Sequence, residues 1–363
     1  MNNKMKTFII ILSFVFVNLI GICGLRAQHV NGLADLDHMY SLIPDTLTSE
    51  AYLKQLEQVE MQFRQVMDTI QDERNQKIAS LMRYKGLLWG LGRYVLAHDD
   101  ASVREVMKQK MVGLDLDVPE LELLPDTEIT NLINGYINFY YPEMGEQERA
   151  TYVLYNIKSE KVRNSYVLPA LIIALKQWGY TDEIEGVIQD IDICSKTEAT
   201  RQKAHELKDW YYPVRKGEVA PEIEGVDEYG KDIKLSDFKG KIVFIDVWAT
   251  WCGGCVEGLP YFMALKDKYK DSKDIVFLTI TEDFDGMENT WKKFLKEKKY
   301  SGKVPHLWLK DREKFDKDYC ITGIPRYILI DKQGRIVNAW HIAAKHEFFS
   351  FVFDTELQML TGN

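Results

Sequence analysis

The sequence has no surplus of basic residues. Its 46 lysines and arginines are outnumbered by 55 aspartates and glutamates, which gives a formal net charge of −9. Proteins that bind a nucleic-acid backbone need clustered positive charge to neutralise phosphates, so we predict no nucleic-acid partner. Hydrophobic residues make up 46% of the 363 residues and charged residues 28%. This composition excludes a disordered, collagen-like or multi-span membrane chain, and the length suits two or three domains.

Cysteine is scarce as well, with five in the whole chain. Apart from Cys23 near the N-terminus, they are Cys194, Cys252, Cys255 and Cys320. Four cysteines are too few for a disulfide-stapled scaffold. A structural zinc site needs four cysteine or histidine ligands, and the single close pair has no second pair to complete it. We therefore predict no metal and no cofactor, and expect Cys194 and Cys320 to be packed thiols. A redox role for Cys320, which lies five residues before Pro325, is the alternative.

The first 27 residues have the pattern of a secretory signal peptide. Lys4 and Lys6 form a positive start, the run from Phe8 to Ile22 is almost entirely apolar, and Ala27 is a small residue at the predicted cleavage site. The mature chain is then expected to begin at Gln28.

Two alternatives remain for this segment. The apolar run approaches the roughly 20 residues that span a bilayer, so it could stay as an anchor helix. Lipidation of Cys23 is disfavoured because the preceding Ile22 is branched. Every alternative places the rest of the chain outside the cytoplasm, where disulfides persist. We predict a location in the periplasm or cell envelope.

The next part of the chain is predicted to form successive helices. Apolar residues recur at three- and four-residue spacing from about Thr46 to Tyr212, with breaks at Pro119, Pro125 and Pro142. No repeat of fixed period aligns across these helices. The sequence predicts an all-α domain over residues 28–212.

Strand-like runs alternate with helical ones after Tyr212. The segment Lys241–Trp248 is β-branched and almost fully apolar, which is typical of a central strand buried on both faces. Residues 213–363 are therefore predicted to form an α/β domain with a mixed central sheet. The elements predicted after this strand are helices Gly254–Lys270, Met287–Lys299, Arg312–Tyr319 and Lys345–Leu360 and strands Ile275–Thr281, Arg326–Ile330 and Ile336–Trp340.

Two cysteines three residues apart follow the buried strand. Cys252, Gly253, Gly254 and Cys255 open a predicted helix, and a helix N-terminus lowers the pKa of the first thiol by stabilising its thiolate. We predict a redox-active disulfide in which Cys252 is the attacking nucleophile. Cys255, one turn further in, is predicted to resolve a mixed disulfide formed on Cys252.

This motif and several separated segments resemble the thioredoxin superfamily, and within it the secreted TlpA/ResA-like thiol-disulfide oxidoreductases. The resemblance covers roughly residues 217–363. Its matching segments are residues 220–223, 227–235, 235–241, 247–255 and 323–331.

The resemblance implies a thioredoxin fold, with helices on both faces of the mixed sheet, and a set of substrate contacts. The family has a cis peptide bond before the residue that corresponds to Pro325, and substrate backbone pairs beside the position of Ile324. Trp251 resembles an exposed family tryptophan at the substrate surface, and Gly253 and Gly254 are expected to contact substrate as well.

Asp246, six residues before Cys252, matches the buried acid of thioredoxins. Burial should raise the pKa of its carboxyl, which could then exchange a proton with Cys255; a structural hydrogen-bonding role is the alternative. Many secreted relatives carry a glutamate three residues after the second cysteine, where this chain has Gly258. The neighbouring Glu257 is expected to be a solvated helix residue.

The sequence therefore predicts a thiol-disulfide oxidoreductase acting on protein thiols and disulfides. Ile324 and the absence of histidine between the cysteines resemble reducing thioredoxins. Reduction in an oxidising periplasm would need electrons from a membrane thiol carrier. Isomerisation or oxidation stays an alternative, as does a client-recruiting protein whose helical domain sets its function. A thiol peroxidase is disfavoured because Cys252 lacks the Pro-x-x-x-Thr-x-x-Cys setting.

Overall fold

The computed structural model describes residue 36 and residues 38–361. The predicted signal peptide and Cys23 lie outside these residues. Contacts divide the chain into two compact units. The first contains the described residues up to Ala170 together with Cys194–Thr197, and the second contains Leu171–Ile193 and the chain from Glu198 onward.

The first unit is helical, as predicted. In its second helix, Leu56, Val59 and Phe63 follow the predicted spacing and are buried. Aspartates cap two helix N-termini: the Asp72 carboxylate accepts from the N–H of Asn75, and Asp100 accepts from the N–H of Ser102, both at 2.8 Å. The helices of this region are α1 His38–Ser41, α2 Ser49–Thr69, α3 Glu73–His98, α4 Ala101–Lys110, α5 Asp126–Tyr140, α6 Glu146–Asn156 and α7 Glu160–Trp178.

The second unit starts within α7 and includes most of α8 (Asp182–Cys194) and all of α9 (Glu198–Tyr211). The Trp340 side chain contacts both α7 and α9 within this unit. Its Nε1 donates to the Lys176 carbonyl at 3.2 Å, and its ring lies 5.8 Å from that of Tyr211. The change from helices to strands falls close to the predicted boundary at residues 212 and 213, whereas these contacts divide the chain earlier. The domain limits stay a prediction.

Within the described residues, seven strands form one mixed sheet in the order β2-β1-β5-β4-β3-β6-β7. The central strand β3 is buried at all seven positions, as its apolar sequence predicted. It pairs parallel with β4 and antiparallel with β6. The strands are β1 Glu224–Val226, β2 Asp232–Lys234, β3 Ile242–Trp248, β4 Ile275–Thr281, β5 His306–Leu309, β6 Arg326–Ile330 and β7 Ile336–His341.

Strand β5 was missed by the sequence analysis. It has four residues, follows Pro305, and is held by pairing with β4 and β1, which lie far from it in sequence. The predicted α/β architecture is otherwise confirmed. The helices around the sheet are α10 Gly253–Lys268, α11 Glu288–Glu297, α12 Arg312–Asp318 and α13 Phe349–Thr361.

The apolar core on one face of the sheet positions the paired cysteines. Phe244 and Trp248 from β3 pack with Phe262 from α10, Trp291 from α11 and Phe353 from α13, all fully buried. This packing fixes the start of α10 against the end of β3. No helix in the described part of the chain combines the length and apolar character needed to cross a membrane.

Candidate active site

The two cysteines lie where β3 ends and α10 begins. They form a disulfide, and Cys252 caps the helix because its Sγ accepts a hydrogen bond from the N–H of Cys255 at 3.2 Å. Cys252 is half-buried, whereas Cys255 is fully buried. Another protein can therefore reach Cys252 more readily than Cys255. This order agrees with the predicted roles, which themselves stay predictions.

A second loop meets the disulfide. The Ile324–Pro325 peptide bond is cis, as the resemblance implied. The Sγ of Cys252 lies 3.8 Å from the Ile324 carbonyl oxygen, and a Cβ on Gly254 would lie 4.0 Å from the Pro325 Cδ. Gly253, Gly254 and Pro325 are exposed. The structure thus brings together residues separated by some 70 positions in sequence, and their contact with substrate stays a prediction.

Trp251 belongs to an exposed aromatic stack beside Cys252. Its ring is nearly parallel to that of Phe284, at 3° and a centroid distance of 5.4 Å, and the two residues are 50% and 49% exposed. The Arg312 guanidinium lies 5.2 Å from the Phe284 ring. Stacked aromatics with a cation form a surface suited to packing against another chain. Sequence reasoning missed Phe284 because its only link to the motif is tertiary.

Hydrogen bonds of Asp283 connect the loop that carries Phe284 to the cysteine motif. Its carboxylate accepts from the Thr250 N–H at 3.1 Å and from the Thr250 Oγ1 at 2.6 Å. It also accepts from Thr281 Oγ1 at 2.7 Å. These bonds join the loop after β4 to the residues immediately before Trp251. No pattern in the sequence predicted these hydrogen bonds.

Asp246 is fully buried in the middle of β3. Neither carboxylate oxygen has a hydrogen-bonding partner among the described residues. Burial holds the pKa of this carboxyl well above its usual range, as predicted, because the charged form loses its hydration. The side chain lies on the face of β3 that also carries Phe244 and Trp248 and packs against α10.

Gly258 stands where many secreted relatives carry a glutamate. A Cβ on Gly258 would lie 2.7 Å from the Tyr327 hydroxyl oxygen, so that hydroxyl takes the space of a side chain. The Glu257 side chain is 73% exposed and pairs with Lys345 at 3.0 Å, as expected of a solvated helix residue.

A further buried acid borders the site. Glu282 is 5% exposed, and its N–H donates to the Trp248 carbonyl at 2.7 Å. Burial, and then the nearby Asp316 carboxylate, raises the pKa of Glu282. The sequence analysis did not find this acid, because its partner on α12 comes from a distant part of the chain.

A groove of about 360 Å³ lies beside the cis-proline loop within the second unit. Thr322, Gly323 and Pro325 line one side, and Lys176 and Gln177 from the last turn of α7 line another. This helix was assigned to a separate domain by the sequence analysis. Its last turn therefore contributes to the surface around the candidate site.

The two remaining cysteines are not in the site. Cys320 is buried, and its thiol donates to the Trp210 carbonyl at 3.0 Å. Its burial is as predicted for a packed thiol, and burial raises the pKa of Cys320 to about 12, which disfavours the nucleophilic thiolate. Cys194 is half-buried. No cluster of three or more metal-binding side chains occurs in the described part of the chain.

A thioredoxin fold with a cysteine pair at a helix start and a facing cis-proline defines a thioredoxin-like oxidoreductase domain. The Redoxin family model matches residues 215–345. ResA, a thiol-disulfide oxidoreductase, from Bacillus thuringiensis is 37% identical over 121 residues, which are 33% of this chain and 66% of that protein. ResA from Bacillus subtilis is 33% identical over 128 residues, 34% of this chain and 66% of its own length.

Among solved structures, a putative thiol-disulfide oxidoreductase from Bacteroides vulgatus is 36% identical to this chain. The match covers 39% of this chain and 97% of the other, with a TM-score of 0.36. The chain thus spans about two thirds of the length of the curated relatives it matches. Through its C-terminal part, the chain belongs to the thioredoxin superfamily and is similar to the TlpA/ResA-like thiol-disulfide oxidoreductases.

Proposed function

We propose that this protein is a thiol-disulfide oxidoreductase of the cell envelope that reduces protein disulfides through Cys252 and Cys255. The observation that carries the proposal is the arrangement of the pair. Cys252 is partly accessible at a helix N-terminus beside the Ile324 carbonyl, while Cys255 is fully buried behind it. A nucleophilic thiol in front and a resolving thiol behind are what dithiol-disulfide exchange requires.

Substrate contact is proposed for the exposed surface around Cys252. Trp251, Gly253 and Gly254 flank Cys252 in sequence, and Ile324 and Pro325 come from the loop whose carbonyl lies near its sulfur. An extended segment of a client protein would lie against the loop beside Ile324, with its cysteine sulfur at Cys252.

Trapping of mixed disulfides tests these roles. Cys255→Ser should accumulate mixed disulfides with client proteins, because the attacking thiol is kept and the resolving thiol is lost. Cys252→Ser, the matched variant, should accumulate none. In the reduced protein, iodoacetamide should label Cys252 before Cys255. Equal trapping by both variants, or first labelling of Cys255, would show that the roles are wrong.

The location and direction of the reaction are also proposals. The positive start, apolar run and Ala27 support export by a cleaved signal peptide. Intact-mass measurement of the native protein should give a chain beginning at Gln28. The reduction potential distinguishes a reductant fed by a membrane thiol carrier from an isomerase or oxidant, since reductants have markedly lower potentials.

A further inference from the structure

The groove beside the cis-proline loop carries charge of the opposite sign to the chain as a whole. Its lining residues include Lys176 and Arg326 but no aspartate or glutamate. Glu356 faces one lining residue, His341, at 3.0 Å and is itself not part of the lining. The whole sequence, in contrast, has a formal net charge of −9. This local positive charge favours an anionic ligand.

Arg326 contributes a buried positive charge to the groove. It is 6% exposed, and its guanidinium donates to the Ala339 carbonyl at 3.2 Å and to the Cys320 carbonyl at 3.4 Å. The guanidinium also lies 4.1 Å from the centre of the Trp340 ring. No carboxylate in the described part of the chain pairs with it. Burial lowers the pKa of Arg326 only to about 10, so the group stays charged at neutral pH and its charge lacks a counter-ion.

Lys176 contributes an accessible positive charge. It lies in the last turn of α7 and is exposed, and its ammonium group has no ion pair or hydrogen bond with any described residue. Its backbone is held in place, because the Lys176 carbonyl accepts from Trp340 Nε1 at 3.2 Å. The turn is therefore fixed against β7, while the charged end of the side chain is available to a ligand in the groove.

The groove begins next to the reactive sulfur. Pro325 lines it, and the carbonyl oxygen of the preceding residue, Ile324, lies 3.8 Å from the Sγ of Cys252. An extended peptide advances about 3.3 Å per residue. A client segment that is bonded to Cys252 through its cysteine and follows this loop therefore brings the next few residues into the groove.

We propose that this groove binds an acidic segment of the client protein beside its disulfide cysteine, and that Lys176 pairs with a client carboxylate. The inference rests on the proposed function and specifies its substrate class. Arg326 adds to the attraction through its uncompensated charge. Lys176 lies outside residues 215–345, which the Redoxin family model matches, so a thioredoxin-like domain alone would lack this contact. The end of the helical region thereby acquires a role in client selection.

The test compares disulfide peptides that differ only in charge. Each peptide has one cysteine in a mixed disulfide with thionitrobenzoate, whose release is followed by absorbance when the reduced full-length protein attacks. Two acidic peptides have a pair of aspartates either before or after the cysteine, and the neutral peptide has serines in those places. Each rate constant is divided by that of a small neutral thiol with the same peptide, which removes differences in intrinsic reactivity.

Lys176→Gln removes the charge and keeps a good helix former in the last turn of α7. At low salt, it should lower the corrected rate ratio of one acidic peptide to the neutral peptide by about fivefold, the upper range for an exposed ion pair. Lys176→Glu should lower the ratio further, because attraction becomes repulsion. Lys270→Gln and Lys270→Glu are the matched controls and should leave the ratio unchanged. Lys270 is exposed and lies beyond the end of α10 opposite to the cysteines.

A second measurement does not depend on thiol exchange. The oxidised protein is titrated with the same peptides carrying serine in place of cysteine, and the indole N–H resonance of Trp340 is followed by NMR. This resonance is identified by its loss in Trp340→Phe, and its proton is the one that bonds to the Lys176 carbonyl. One acidic peptide should shift it in the wild type and in Lys270→Glu. The same peptide should not shift it in Lys176→Glu, and the neutral peptide should not shift it in any of these proteins.

The inference is overturned if both Lys176 variants leave the two rate ratios unchanged. It is also overturned if the Lys270 variants lower a ratio as much as the Lys176 variants do, because overall charge rather than the groove would then attract the peptide. Failure of the wild type to attack any of the peptides would instead contradict the proposed function. In that case the NMR titration still decides whether the groove binds an acidic segment.

Discussion

Replacing Asp246 by asparagine should change how the stability of the second unit depends on pH. The carboxyl is fully buried without a partner among the described residues, and burial raises its pKa well above the usual value. The folded protein therefore binds this proton more tightly than the unfolded chain does. For an acid with a raised folded pKa, stability is greatest below the unfolded pKa and falls as pH rises to the folded pKa.

The size of the effect follows from proton linkage. Between an unfolded pKa of about 3.9 and the folded pKa, the wild type should lose about 1.4 kcal/mol of stability per pH unit through this one group. Asparagine does not titrate, so Asp246→Asn lacks this loss. A window of two pH units should thus favour the variant by about 2.7 kcal/mol. Above the folded pKa the two stabilities should run parallel.

Asparagine keeps a buried amide in the same place, and an unpaired amide costs about 1–3 kcal/mol at every pH. This cost shifts the whole difference between variant and wild type by a constant. The pH dependence of the difference is therefore the diagnostic quantity. All other titrating groups contribute equally to both proteins and cancel.

Hydrogen exchange measured by mass spectrometry on peptides that cover β3 and β4 suits this prediction, because it reports on the second unit alone. Both proteins are kept oxidised, and exchange is corrected for the intrinsic rate at each pH from 5 to about 9. A difference that stays flat across this range would refute the burial argument. A difference that favours the wild type as pH rises would show that the ionised carboxylate is stabilised in the folded protein.

Two glycines give further predictions. Gly258→Ala should destabilise the second unit by about 1–3 kcal/mol, through overpacking against Tyr327. In a Tyr327→Phe background it should cost far less, since the hydroxyl oxygen is the sole described atom within 4 Å other than those of the chain neighbours and the local helix backbone; equal costs would contradict the close approach. Gly179→Ala should cost at least about 2 kcal/mol, because Gly179 has a φ of +72° and a Cβ would lie 2.1 Å from the Trp340 ring. Gly186→Ala in α8, with open space around it, is the control and should be neutral or stabilising in urea unfolding.

Local patterns in the sequence were enough to identify several parts of the structure. The apolar, β-branched run of β3 predicted a buried strand, and the strand is buried at every position. The cysteine pair after it lies at the start of a helix, as predicted. The burial of Asp246 followed from its place inside that run. These features depend on residues within a few positions of one another, where side-chain periodicity and helix-end chemistry act directly.

Other features of the site depend on residues that meet only after folding. Strand β5 is too short to have a pattern of its own, and Phe284 and Asp283 reach the motif through a loop 30 residues away. Gly258 is the clearest case. The sequence shows only that it stands where many relatives carry a glutamate, whereas the fold shows that its lack of a side chain leaves space for the Tyr327 hydroxyl.

The sequence by itself determined which chemistry this chain carries, because a thiol pair at a helix start is defined by neighbours along the chain. The tertiary structure alone decided what surrounds that chemistry. Strand order sets Tyr327 beside Asp246, and the packing of α7 against Trp340 adds Lys176 to the groove beside Pro325. Such contacts arise from the pairing and packing of distant segments, which no local periodicity encodes.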